Sequence, residues 1–384
     1  MEKLNPFEYG RELALDELVD RREEMAEIDN TIRNRGKLFL IGPRRFGKTS
    51  VLSAADEAAT RRGAVVLRFD AEKYESLELL AEALLTAATR ALESRLDRAA
   101  ALIGKAAGLL RPEARVDAEG SISISLGSRD PRGSLPVLTD ALDAIEALAK
   151  ESGRTVVVIL DEVQQIVVEH GIAAERQLRS TVQQHRHLGY IFAGSATRLL
   201  TEMTSDPDRP FYRMGERLFL GALPRDEFQA FLEKGFAGSG CTSDPEVCAY
   251  ILERAEEVPY NVQRLAHQAW EMLRAEGGRS VTRALVDDAL ERLVRREDPA
   301  YTQIWTTLRR NQKAAIKAVI NEGGTGLFAS AVSRRYGIST PSLQTALKQL
   351  EAGSLIRSDL QKGQAQYRLI DPFFAAWLRI MQAP

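Results

Sequence analysis

The chain has 384 residues, 44% of them hydrophobic and 28% charged, which is too long for one ordinary core of about 150 residues and outside the disordered, collagenous and membrane-protein ranges. Fifty-two Lys and Arg against 54 Asp and Glu give a formal charge of -2, a total that by itself argues against a polyanionic partner. Two cysteines, Cys241 and Cys248, are too few for a disulfide framework and lack zinc-site spacing, so a reduced compartment is expected.

Residues 11–35 place Leu13, Leu18, Met25, Ile28 and Ile32 near helical spacing and end in a turn at Arg35-Gly36. The apolar run 37–41 predicts a buried strand, 48–62 a helix and 64–70 a second strand, the opening of a parallel α/β sheet. Residues 75–110 have a helical pattern, and 121–126 alternate with period two between Gly120 and Gly127, as a small β insertion would. A helix at 135–151 precedes the run 155–160, continuously apolar and mostly β-branched, the composition of a central strand buried on both faces. Segments 190–194 and 217–220 bring the expected parallel strands to five. From Pro224 to about Arg296 helical patterns replace the β pattern, 295–299 read as a charged linker, and the rest as helices followed by a hairpin. From Tyr301 onward there are eleven Lys and Arg against four acids, a net +7 that leaves -9 for residues 1–300. With no stretch approaching 18 uninterrupted apolar residues and no signal-peptide core at the acidic, polar start, the expectation is a full-length cytoplasmic protein without membrane contact.

Gly42-Pro43-Arg44-Arg45-Phe46-Gly47-Lys48-Thr49 matches G-x-x-x-x-G-K-[ST] and lies between a predicted strand and a predicted helix, the context this pattern requires. Its glycines let successive backbone N–H groups converge on phosphate oxygens, and the following helix turns its positive end toward them. Gly42 through Ser50 are therefore the candidate ATP-binding segment, with Lys48 reaching the β/γ-phosphates and the Thr49 hydroxyl ligating Mg²⁺. The strand 155–160 ends in Asp161-Glu162, an acidic pair emerging from a wholly apolar run. Asp161 is the candidate for the Mg²⁺ shell and Glu162 for orienting and polarising the attacking water, which makes hydrolysis possible in addition to binding.

These two motifs, their order and the helical region behind them resemble an AAA+ ATPase, in particular the archaeal-type ATPase family related to STAND signalling ATPases and origin-recognition ATPases. The resemblance runs over nearly the whole chain: Asn5-Pro6-Phe7, Asp20-Arg21 and Glu23-Glu24, then GPRRFGKTS at the loop, LDEVQQ at 160–165, FAGSATRLL at 192–200, PFYRMGERLFLGAL at 210–223, VPYNVQRLAHQ at 258–268 and YRLIDPFFAAWLR at 367–379. It implies that Ser195, at the end of the fourth core strand, is a polar sensor of the γ-phosphate, a plain turn serine after Gly194 being the other reading. It also places Arg213 and Arg217 in the region of the arginine finger, which acts on a neighbouring subunit; Arg213 is favoured, against a mere surface arginine. Pro259 resembles the lid proline that touches the nucleotide base, Val19–Arg21 would border the adenine, and Arg264 sits near, but out of register with, a second sensor. His185 and His187 are too few for a metal site, and Gln164, Gln165 and Gln184 either relay nucleotide state or are simply polar surface.

In the tail, 329–336 and 340–352 read as two helices about a tight turn, with Ser339 or Thr340 as cap, Pro341 in the first turn and Gly353 as the stop. A hairpin about Gln361-Lys362-Gly363-Gln364 follows, and helix-turn-helix plus wing is a winged helix. If it binds double-stranded DNA, the second helix exposes Ser342, Gln344, Thr345 and Lys348 to the major groove while Arg334, Arg335, Arg357 and Lys362 meet phosphates. Winged helices also bind proteins, and that reading stays open.

The expected architecture is a P-loop ATPase core at 1–223 with an insertion at about 100–133, a helical lid at 224–297 and a winged-helix domain at 298–384. The expected function is that of a Mg²⁺-dependent ATPase switch, oligomerising with copies of itself and coupling its ATP or ADP state to DNA. The alternative is a nucleotide-gated signalling scaffold whose winged helix grips a protein partner, with slow hydrolysis as the timer.

Overall fold

The computed structural model describes residues 4–92, 110–116, 122–128, 135–195, 197–361 and 364–381. They form two compact units: one of Glu12–Pro43 and Lys48–Gly221, the other of Met1–Arg11, Arg44–Gly47 and Ala222–Pro384.

The first unit is built on strands β1 (Lys37–Ile41), β2 (Val65–Asp70), β5 (Val156–Asp161), β6 (Leu188–Gly194) and β7 (Glu216–Phe219), in the order β2-β5-β6-β1-β7. All four pairings are parallel, so every strand ends at the same edge. Leu188 through Gly194 and Val156 through Asp161 are buried along their whole length, as the uninterrupted apolar run implied. One face of the sheet packs on helices Leu77–Ala91, Leu135–Ser152 and Gln164–Gln184, and the other on Arg22–Arg33 and Lys48–Arg61. Between the second and third core strands lies an antiparallel pair, β3 (Leu110–Val116) and β4 (Ile122–Ser128). Its second strand is the expected β insertion; the first, which holds Pro112 and Glu113, was not anticipated, and most of 93–134 lies outside the described residues.

The second unit is helical from Arg225 to Arg296, with a two-residue strand pair, Thr242–Ser243 on Ser280–Val281, that sequence periodicity is too short to reveal. No linker follows. Only Glu297 separates helix Arg283–Arg296 from helix Asp298–Thr307, because a proline in the first turn removes an N–H that has no partner there anyway. Helices Arg310–Asn321, Ser330–Tyr336 and Thr340–Ala352 then lead into the hairpin Ile356–Gln361 with Gln364–Leu369 and a last helix, Pro372–Met381. Ser339 is the cap of the Thr340 helix, its Oγ accepting the Ser342 N–H at 3.3 Å, and Gly337 makes the turn at φ +60°. Both cysteines are free and buried, Cys241 in a loop and Cys248 on helix Pro245–Arg254. Among the described residues no helix is long and apolar enough to cross a membrane, and no cluster of His, Cys, Asp and Glu is arranged to hold a metal ion.

Candidate functional site

In a parallel sheet ligands bind beyond the carboxyl ends of the strands, and three core strands converge there. Register pairs Ile41 of β1 with Gly194 of β6 and Asp70 of β2 with Asp161 of β5, so the phosphate loop, the acidic pair and Ser195 leave the sheet at one edge. Helix Lys48–Arg61 starts at the same place and contributes the partial positive charge of its free N–H groups.

Lys48 and Asp161 are both buried. The Lys48 ammonium pairs with Asp161 Oδ1 and lies 3.0 Å from Glu162 Oε1. Glu162 is in the left-handed region, φ +51°, which turns its carboxylate back toward the lysine. Its other oxygen accepts from Ser195 Oγ at 2.9 Å, from the Ser195 N–H at 3.1 Å and from Gln164 Nε2. Burial pushes the Glu162 carboxyl up, but the Lys48 charge and these donors outweigh it and hold the pKa below the ordinary glutamate value. Asp161 Oδ1 also accepts the Glu162 N–H at 2.9 Å. Thr49 is exposed in the first helical turn, whereas Ser50 Oγ is occupied, accepting the Leu13 N–H at 3.2 Å. Gly42 admits no side chain: a Cβ there would stand 2.8 Å from Leu220 Cβ. A hydroxyl and a carboxylate are oxygen donors suited to a hard divalent cation that keeps part of its water shell.

The middle of the loop, Arg44–Gly47, belongs to the second unit. Arg45 and Gly47 both have positive φ, +73° and +85°, the alternation that points successive N–H groups into a concavity. The Arg45 carbonyl accepts the Tyr260 N–H at 3.2 Å, its guanidinium lies 5.3 Å from the Tyr260 ring centre, and it pairs with Asp371. Pro259 opens the helix in which Tyr260 sits. Asp371 is a junction that sequence reasoning passed over: it also accepts from Asn261 Nδ2 and Tyr301 Oη, each at 3.0 Å. Burial, with Asp371 beside it, drives the Tyr301 phenol far up. Arg264 pairs with Glu297.

Around the first unit's remaining candidates, Arg213 and Arg217 are exposed and line an open cavity of about 520 Å³ with Tyr212 and Glu216. Arg21 is buried, its guanidinium donating to the Gly221 carbonyl at 2.7 Å and to Glu24, so this part of 19–21 is a strut. His185 is no ligand: it joins Tyr190 Oη at 2.6 Å to Asp143 at 2.8 Å. Of the glutamines only Gln164 contacts the acidic pair through its side chain, while Gln184 is exposed at its helix end.

In the winged-helix segment Gln344, Thr345 and Lys348 are exposed and Ser342 half-buried, while Leu343, Ala346, Leu347 and Leu350 face the core. Arg334 is exposed; Arg335 is exposed but paired with Glu322 at 2.7 Å. Arg357 does not meet the expectation of an open phosphate contact, because its guanidinium packs over the Phe46 ring, 4.9 Å from the centre. Lys362 lies outside the described residues. Two cations not singled out from sequence, Arg309 and Arg310, line a groove of about 470 Å³ with Ser342, Thr345 and Gln349.

The parallel sheet, with a phosphate loop after β1 and an acidic pair after β5, has the fold of an AAA+ P-loop ATPase domain. Residues 17–192 match the model of the AAA ATPase domain and residues 299–380 that of a probable winged helix domain. Among solved structures the chain is similar to a Walker-type ATPase of Pyrococcus abyssi, at 18% identity and a TM-score of 0.65, over 98% of this chain and 100% of that one. It is also similar to the ORC2 protein of Aeropyrum pernix, solved as ADPNP-ADP complexes, at 16% identity and a TM-score of 0.56 over 98% of each. At these identities the likeness is one of fold. No curated protein matches the sequence.

Proposed function

We propose that the protein is an ATP-hydrolysing, Mg²⁺-dependent switch that couples its nucleotide state to duplex DNA through the winged helix. The observation that carries the hydrolytic part is one ammonium, Lys48, held between Asp161 and Glu162. In the proposed reaction the β- and γ-phosphates take over Lys48, and Asp161 and Glu162 are released for separate tasks. Mg²⁺ would be held by Thr49 and Asp161 and would neutralise phosphate charge. Glu162, kept ionised below its ordinary pKa, orients the attacking water and receives hydrogen-bond support from Ser195. Arg213 is the finger offered to a neighbouring copy, and Pro259 the lid residue toward the base. The division into a core at 1–223, a lid at 224–297 and a winged helix at 298–384 belongs to the same proposal.

The DNA part draws support from the exposed helix face Gln344, Thr345 and Lys348 and from Arg309 and Arg310 in the groove beside it. A second reading, a scaffold whose winged helix grips a protein, is favoured by the pairing of Arg335 and the packing of Arg357, which leave fewer free cations than the sequence promised. ATP turnover measured with and without duplex DNA, at low salt and across protein concentrations, separates them. Stimulation by DNA supports the switch, indifference overturns its DNA part, and turnover that rises with concentration supports a finger in trans.

A further inference from the structure

The segment 206–215, between helix Thr197–Ser205 and β7, carries Arg213, and helix Gln164–Gln184 grips it. Glu175 of that helix is fully buried. Its Oε2 accepts from Arg209 Nη2 at 2.6 Å and Nε at 3.0 Å, and its Oε1 accepts the Phe211 N–H at 2.9 Å. One turn on, Arg179 donates to the carbonyls of Pro210 and, at 2.9 Å, Tyr212. Phe211 itself is sunk into the core, its ring centre 5.4 Å from Phe39 and 5.6 Å from Phe192. Beyond these anchors Arg213 turns out at φ +52°, with its guanidinium 5.1 Å from the Tyr212 ring centre, exposed at the mouth of the cavity.

We propose that Glu175, Arg179 and Arg209 are a clamp that positions Arg213 for the nucleotide site of a second copy. The proposal rests on the reading of Arg213 as a finger. Phe211 already anchors the loop on the sheet, and a buried ion pair generally adds little stability over apolar packing and is expensive to strand. What it adds here is direction, since two Arg209 donors on one Glu175 oxygen and the backbone contacts at 210, 211 and 212 fix four successive residues. The same helix starts at Gln164, whose amide holds Glu162, so one element touches the protein's own catalytic carboxylate and the finger it offers. Gly171 interrupts the helix between the two, at φ +71° and ψ −172°. The three clamp residues are positioning residues; none faces the reacting atoms.

The test is complementation in trans, using full-length proteins and ATP. A Glu162→Gln donor keeps its finger but does not turn over, and an Arg213→Ala acceptor keeps its site but lacks the finger; mixing them is expected to give turnover well above that of either alone. Adding Glu175→Gln to the donor, or Arg179→Ala in its place, is expected to remove at least tenfold of that gain while ATP affinity of the donor stays as it was. Glu175→Gln also lowers the melting temperature because it strands Arg209, so Arg179→Ala, which strands no charge, is the arm that separates aim from stability. If the parent mixture gives no gain, the finger reading fails, and with it the premise. If it gives a gain that both clamp variants leave intact, the clamp is overturned and the finger stands. Loss of ATP affinity in both clamp variants also overturns it, because the residues would then hold the fold and not the finger.

Discussion

Lys48 Nζ lies 3.0 Å from Glu162 Oε1 while it also pairs with Asp161, so the residue proposed for phosphate here sits between the two carboxylates proposed for metal and water. Three ionisable groups in a buried site leave no net mismatch except one negative charge, and Ser195 and Gln164 share that charge. A polyphosphate entering the loop must compete for the ammonium, which makes the lysine and the carboxylates respond together.

Replacing Lys48 with Ala should weaken ATP binding by about 10- to 100-fold, the worth of a charge-assisted hydrogen bond of about 1.5–3 kcal/mol. It also leaves two carboxylates side by side without their cation. Titration with a fluorescent nucleotide measures the first effect, and unchanged affinity would show that the loop does not hold phosphate through this residue.

The acidity of Glu162 links the site to stability. Its folded-state pKa lies below the ordinary value of 4.5, so its contribution is complete above that value and is lost as pH falls through the folded pKa. Glu162→Gln removes this titration. The melting temperature of the wild type should therefore lose its advantage over the variant between about pH 5 and pH 3, and should show a constant difference from pH 6 to 8.

Ser195→Ala removes the 2.9 Å hydroxyl bond to Glu162 but keeps the N–H contact at 3.1 Å. The carboxylate then stays ionised but is less well aimed. Turnover should fall about tenfold, roughly the effect of one such bond on a transition state, while ATP affinity changes less than threefold. A loss confined to affinity would remove Ser195 from the chemistry.

The cations of the winged helix separate into two groups. Arg334→Ala and Lys348→Ala should each flatten the slope of log affinity for duplex DNA against log salt by about 1. Arg335→Ala should flatten it less, since Glu322 already holds that guanidinium, and Arg357→Ala should leave the slope alone but lower the melting temperature, because it strips a cation from the Phe46 ring. Fluorescence anisotropy over a salt series measures all four.

Much of the core and of its loop-bearing edge is legible in the sequence. A loop pattern that needs a strand before it and a helix after it, and an acidic pair closing an apolar β-branched run, are local statements, and 37–50 and 155–162 satisfy them. Ser195 is singled out by the resemblance to AAA+ ATPases, which places a polar sensor at the end of the fourth core strand. What stayed hidden depends on distant partners. Glu175 and Arg209 are ordinary charges in polar stretches until the fold brings them 2.6 Å apart, and nothing near Asp371 announces Arg45, Asn261 and Tyr301 as its partners. Arg357 was misplaced for the same reason: strand alternation gives the side of a hairpin, not the ring that covers it. The expected linker at 295–299 failed on local grounds, because Pro299 stops one helix less readily than it starts another.

Glu162 carries the proposed hydrolytic step. ATP turnover and ATP binding should be measured side by side for the wild type and Glu162→Gln. The prediction is turnover lower by at least about 100-fold, as expected for loss of the group that orients and polarises the nucleophile, with affinity for ATP equal to or tighter than wild type. A variant that bound ATP and hydrolysed it at the wild-type rate would contradict the assignment of this carboxylate and the mechanism built on it.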